Sequence, residues 1–388
     1  MARLISRVDF SIVCVTLALA ISCRAWGSTT TLVKTPFFIF GDSIVDAGNN
    51  NYIDTIPEMQ ANYKPYGESG YFGEPTGRFS NGRLIVDFIA EYAGLPVIPP
   101  FLKPDADFVY GVNFASGGAG VLPETNQGLA IDLPTQVKNF DKVHKSFAEK
   151  FGEEIAKELI SEAVYFISVG SNDYLGGYLL ADPKVREDYN PEQYVGIVIG
   201  NLTKTIQVLH EKGARKFAFL SLAPLGCMPI LKALNLDTSK GGCFEEGSAI
   251  AQAHNKALKI VLASLEYLLQ GFKYCDSNFY DWCLERINYP AENGLENGID
   301  ACCGSGPFGG TFTCGKTTDY QLCDNVEYRI WWDSYHPTQA LYAPAAKYLW
   351  NGSRPSVGPN NIQGLFNAKE KQIIADEVDD PKSQPIIY

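Results

Sequence analysis

The chain has 388 residues, of which 46% are hydrophobic and 12% aromatic, with a formal net charge of −12. Such a composition can bury a full core and excludes a disordered chain. The acidic balance argues against nucleic acid or an anionic membrane surface as partner.

Residues 1–27 read as a removable export signal. Arg3 and Arg7 form a basic start, Ile12 to Ile21 an apolar run, and Ala25-Trp26-Gly27 a small-residue cleavage site, with cleavage expected after Gly27 or alternatively after Ala25. A membrane anchor is the competing reading, but a span needs about 20 apolar residues. The run falls well short of that, so secretion without stable membrane insertion is expected.

Phe37 to Phe40 are short, apolar and mostly aromatic, which predicts a buried strand. Gly41-Asp42-Ser43 breaks it, placing Ser43 at the strand's carboxyl end, where open α/β sheets put their ligands. Alone, this could be one of many strand-to-helix turns. From Asn51 to Asn81 the chain is rich in tyrosine, glycine and proline and reads as a long ordered loop. Tyr52, Tyr63, Tyr66, Tyr71 and Phe72 could line a pocket there, or belong to the core. A short helix is expected over 83–92 and a second strand over 112–114, followed at once by Ala115-Ser116-Gly117-Gly118-Ala119-Gly120. Two helices are expected over 134–151 and 153–161, then a third strand over 164–169 ending at Gly170-Ser171-Asn172-Asp173. Asn190 caps a helix with Pro191 in its first turn and Gly213 past its end. A fourth strand is expected over 216–222, a long helix over 244–269 and a fifth strand over 272–274. Residues 280–330 read as irregular, 337–350 as the last helix, and 359–388 as an acidic, mobile tail. Alternating strands and helices predict a parallel sheet covered on both faces, in one domain over 28–358.

Cys14 and Cys23 leave with the signal; the other eight cysteines lie between Cys227 and Cys323. In an exported chain this reads as disulfides, with zinc as the rival, although no Cys-x-x-Cys pair exists. Proximity suggests Cys227 with Cys243 and Cys275 with Cys283. Cys302 and Cys303 are adjacent and are expected to pair outward with Cys314 and Cys323, leaving no free thiol. Asn201 and Asn351 head glycosylation acceptor triplets.

A serine esterase needs a nucleophile, a base, a holder for the base, and donors for an oxyanion. Asp333-Ser334-Tyr335-His336-Pro337 offers base and holder three residues apart in one loop. Among the other histidines, His210 suits a helix end, His254 an alanine-rich helix face, and His144 a lysine-rich helix. The Gly117-Gly118 pair can aim backbone N–H groups at an oxyanion, or simply allow close packing. Asn172 offers an amide donor, or a turn cap. Gly-x-Ser-x-Gly and His-Glu-x-x-His are both absent, which disfavours the nucleophile elbow and a metal hydrolase.

Taken in order, these blocks resemble the GDSL (SGNH) hydrolase family, and most closely its secreted plant esterase/lipases. The resemblance spans about Phe37 to Trp350 and rests on Gly41-Asp42-Ser43 with Asp46-Ala47-Gly48-Asn49-Asn50, then on Gly111 to Gly120, Gly170 to Asp173 and Asp333 to Pro337. It implies a flavodoxin-like α/β/α sandwich without metal or other cofactor. It implies Ser43 as nucleophile, His336 as base, Asp333 as its support, and Ser43, Gly118 and Asn172 as the oxyanion hole. The acidic tail is longer than such relatives usually carry. The expected reaction is hydrolysis of small-molecule or lipid esters, in the apoplast, the vacuole or elsewhere in the secretory pathway. Acyl transfer to an alcohol, for example of a hydroxycinnamoyl group, is the alternative; an idle binding or defence protein is a remote third.

Overall fold

Five parallel strands carry the architecture: β1 (Phe37–Gly41), β2 (Gly111–Asn113), β3 (Val164–Ser168), β4 (Lys216–Phe219) and β5 (Lys273–Ser277). They are seen in a computed structural model that describes residues 34–239, 241–311, 314–315 and 320–367. The expected export signal, with Cys14 and Cys23, lies outside the described residues, as does the chain beyond Asn367.

β1 shows why the sheet is buried on both sides. Alternate residues of a strand face opposite ways. Phe38 and Phe40 therefore pack on one face with Phe140, Tyr165 and Phe217, and Phe37 and Ile39 on the other with Phe166, Ala218 and Tyr342. Helices Leu133–Phe151, Glu153–Glu162, Pro191–Glu211 and Glu245–Leu268 supply residues to the first face. Helices Ile85–Tyr92 and Gln339–Asn351 supply the second. Each fully buried phenylalanine contributes roughly 1.5–3 kcal/mol relative to exposure.

The region expected to be irregular holds a helix, Phe279–Asn288, and a parallel pair of strands, β6 (Asn297–Ala301) with β9 (Arg329–Trp331). Between them β7 (Cys303–Gly304) pairs antiparallel with β8 (Gln321–Leu322). The helix buries Tyr280, Cys283 and Ile287 along one face. Beyond Asn351 a further correction is needed. Val357–Pro359 forms β10, antiparallel to β5, and Ile362–Phe366 is a helix whose Ile362, Leu365 and Phe366 are buried. The folded unit thus runs past Pro359, because the polar run hides three apolar residues at helical spacing.

The sheet order is β10-β5-β4-β3-β1-β2. Strand order reverses between β1 and β3, so the loops after these two strands diverge and leave a crevice at their carboxyl ends. Ser43 follows β1 and Asn172 follows β3. Position thereby follows from topology.

Three disulfides staple the second half of the chain: Cys227–Cys243, Cys302–Cys323 and Cys303–Cys314. The expected Cys275–Cys283 bond is not formed. Both are free thiols inside the apolar layer under β5, where they pack as small hydrophobes. Burial pushes both thiols up, so neither is reactive in the native state. Alkylation without reductant should therefore label Cys275 and Cys283 only after denaturation. Labelling of the native protein, or of neither residue after unfolding, would contradict this arrangement.

Candidate active site

The turn that carries Ser43 is held from several sides. Gly41, with φ +149°, approaches β3 so closely that a Cβ would sit 2.0 Å from the Ser168 carbonyl oxygen. Gln136, fully buried, accepts from Gly41 N–H at 2.9 Å and donates to Gly41 C=O at 2.8 Å. Val45 and Asp46 N–H both donate to the Asp42 carbonyl. The Asp46 carboxylate accepts from the N–H groups of Gly48, Asn49 and Gly117, tying the serine block to the glycine block. Burial pushes the Asp42 carboxyl up to about 7, and that of Asp46 up to about 6 against its three N–H donors.

His336 comes from the other half of the chain. After β9, Asp333 Oδ1 accepts from the Tyr335 and His336 N–H groups, and Trp332 N–H donates to the His336 carbonyl. This tight turn puts His336 Nδ1 2.7 Å from Asp333 Oδ1 and 2.8 Å from Oδ2. On the far side of the ring, Nε2 lies 2.8 Å from Ser43 Oγ. The helix begins at Gln339, two residues later than the Pro337 start the sequence suggests, because Pro337 is still in a bridge with Trp331. Phe79 packs on the imidazole with ring centroids 4.9 Å apart.

Asp333 is fully buried. Burial raises its carboxyl, but the charge and hydrogen bond of His336, the Tyr335 N–H and the Tyr66 hydroxyl more than offset this and hold it below its ordinary range. Tyr66 donates to Asp333 Oδ2 at 2.7 Å. Sequence reading offered Tyr66 only as one of five aromatic pocket candidates, with no hint of this bond. Tyr63 instead reaches the Cys314 carbonyl; Tyr71 and Phe72 lie against the guanidinium groups of Arg83 and Arg78, and Tyr52 is exposed.

Gly118 and Asn172 open onto the same pocket as Ser43 and His336, of about 370 Å³. Gly118 takes φ +85°, a backbone that side-chain-bearing residues rarely adopt. The Asn172 amide donates one hydrogen to Ala119 C=O at 3.0 Å, which orients it and leaves its second N–H for a bound group. Asp173, also buried, accepts from Val121 and Leu122 N–H and from Thr125 Oγ, fixing the segment after Gly120. Gln136 and Asp173 escaped the sequence reading as site-builders, since a lone Gln or Asp carries no spacing signal.

His254 is buried among helices, 2.8 Å from the Tyr174 hydroxyl, and burial lowers it to about 3, so it stays neutral. It does not line the pocket. Of the acceptor asparagines, Asn351 is exposed at a helix end, while Asn201 donates its amide to the Ile197 carbonyl within its helix.

A family signature described as GDSL-like Lipase/Acylhydrolase matches residues 37–349. The chain belongs to this family. The GDSL esterase/lipase 5 of Arabidopsis thaliana is 46% identical over 86% of this chain and 87% of its own length. A GDSL lipase of Tanacetum cinerariifolium is 42% identical over 86% and 88%, and the Arabidopsis GDSL esterase/lipase 1 is 42% identical over 86% and 90%. Membership of the GDSL family makes the protein a carboxylic ester hydrolase acting on small-molecule esters. Among the described residues, no helix of this GDSL protein is long and apolar enough to cross a membrane.

Proposed function

We propose that the protein hydrolyses carboxylic esters through an acyl-Ser43 intermediate. The observation that carries this reading is the unbroken relay Ser43–His336–Asp333, opening onto a pocket that Gly118 and Asn172 also line. Ser43 Oγ attacks the ester carbonyl while His336 Nε2 takes its proton. The Ser43 and Gly118 N–H groups and the Asn172 amide stabilise the tetrahedral oxyanion. His336 then protonates the departing alkoxide, which leaves as the alcohol. In the second half, His336 deprotonates water, water attacks the acyl carbon, and the acid departs with Ser43 reprotonated. Asp333 holds Nδ1–H throughout and stabilises the imidazolium each time it forms, and Tyr66 holds Asp333.

Ile56 and Leu180, which line the pocket, are 40% and 44% exposed, as in a site that is not closed over its substrate. This favours hydrolysis over transfer, which needs a closed acceptor site to outcompete solvent. Export through the secretory pathway is part of the same proposal, supported by the three disulfides and the basic-then-apolar start of the chain. Supplying p-nitrophenyl acetate with millimolar alcohols, and quantifying acid against new ester, tests the acceptor. Free acid should dominate; dominance of new ester would make the protein a transferase.

A further inference from the structure

A second cavity, of about 990 Å³, lies between the Glu245–Leu268 helix, the carboxyl end of β5 and the segment that leads into β10. It shares no lining residue with the pocket at Ser43, and its volume is at the top of the usual range for small-molecule sites. The proposed ester chemistry does not use it.

The floor is polar and buried. Ser221, Asp276 and Ser277 are 4%, 9% and 8% exposed. Ser221 Oγ lies 2.7 Å from Asp276 Oδ1 and 3.1 Å from the Ser277 carbonyl. Ser277 Oγ has no hydrogen-bond partner among the described residues, although a buried hydroxyl normally has one. Tyr274 and Tyr280, both buried, also line the cavity.

Charge then narrows the ligand. Lys256, Lys259 and Arg354 line the cavity, as do Glu266, Asp276 and Asp281, so the two signs balance. An anion would meet three carboxylates and a cation three positive groups. A neutral molecule rich in hydroxyls suits the lining best, because each hydroxyl both donates and accepts. The serine, asparagine, glutamine and carboxylate side chains along the lining suit the hydroxyl edges of sugar rings. We propose that this cavity binds a neutral saccharide, at a site separate from the ester pocket.

The probes are cellotetraose and xylotetraose, titrated calorimetrically into the intact protein, with tetragalacturonate and a chitosan tetramer as charged controls. At least one neutral tetramer should bind one-to-one and more tightly than either control. Asp276→Asn should weaken that binding about tenfold or more by removing a charged acceptor. Should that buried variant fold poorly, Gln252→Ala with Lys259→Ala, on the exposed helix face, should weaken binding about tenfold. Both variants should hydrolyse p-nitrophenyl acetate at the unaltered rate. The proposal is overturned if neither neutral tetramer binds, if a charged control binds more tightly, or if binding survives both sets of changes. Because esterase activity is read separately, failure here leaves the reaction at Ser43 untouched.

Discussion

Ser43→Ala is expected to reduce turnover of p-nitrophenyl esters by about 10⁶-fold, the scale on which a serine hydrolase loses rate with its nucleophile. The fold should be unaffected, since the change removes one oxygen whose hydrogen-bond partner is His336 Nε2. A fluorophosphonate should label the unaltered protein once, on Ser43, and leave the variant unlabelled. Two other serines make this a discriminating experiment. Ser171 lines the same pocket, and Ser116 sits fully buried nearby with its Oγ engaged by Asn50. An adduct on either would move the nucleophile elsewhere.

His336→Ala should cost about 10⁴-fold or more in kcat, because both halves of the reaction need a proton moved at Nε2. Asp333→Asn should cost up to about 10⁴-fold, since an amide at this position no longer enforces the Nδ1–H tautomer. Beside His336, the Tyr335 N–H and the Tyr66 hydroxyl, the Asp333 carboxyl is held below its ordinary range, so it is ionised at neutral pH. A group held below its unfolded value contributes stability above that value and loses it as pH falls through the folded one. The Asp333 contribution is therefore lost only in strong acid. His254→Ala is the control. It removes a buried bond to Tyr174 and should lower stability by about 1–3 kcal/mol while leaving kcat of the folded fraction intact. Equal damage at His254 and His336 would show that the wrong histidine has been assigned as base.

Some of this was legible in the residues and some was not. Phe37 to Phe40 announce a buried strand because four β-prone apolar residues admit little else, and the Pro191 helix announces both its ends. Ser43, Asp333 and His336 stand out because their neighbours constrain them locally. Tyr66 reaches Asp333 across 267 positions of sequence, and Gln136 grips Gly41 from 95 away. Such bonds exist only once the sheet has assembled, so no local spacing betrays them. β6 carries little apolar pattern and becomes a strand because β9 pairs with it. Cys275 and Cys283 sit close in sequence, yet one lies on a strand and the other on a helix, and proximity along the chain misled.

The two flanks of the sheet share a property that bears on solubility. A sheet edge offers unpaired N–H and C=O groups to any other chain that passes, and long flat edges seed aggregates. Here β10 is only three residues long and ends in Pro359, which has no N–H to offer a newcomer. At the opposite margin β2 is equally short, and Pro99 and Phe101 already take the backbone groups of Asn113. Neither border is a template on which a second molecule could extend the ladder. The buried parallel sheet is thus guarded at both margins against edge-to-edge pairing with another chain.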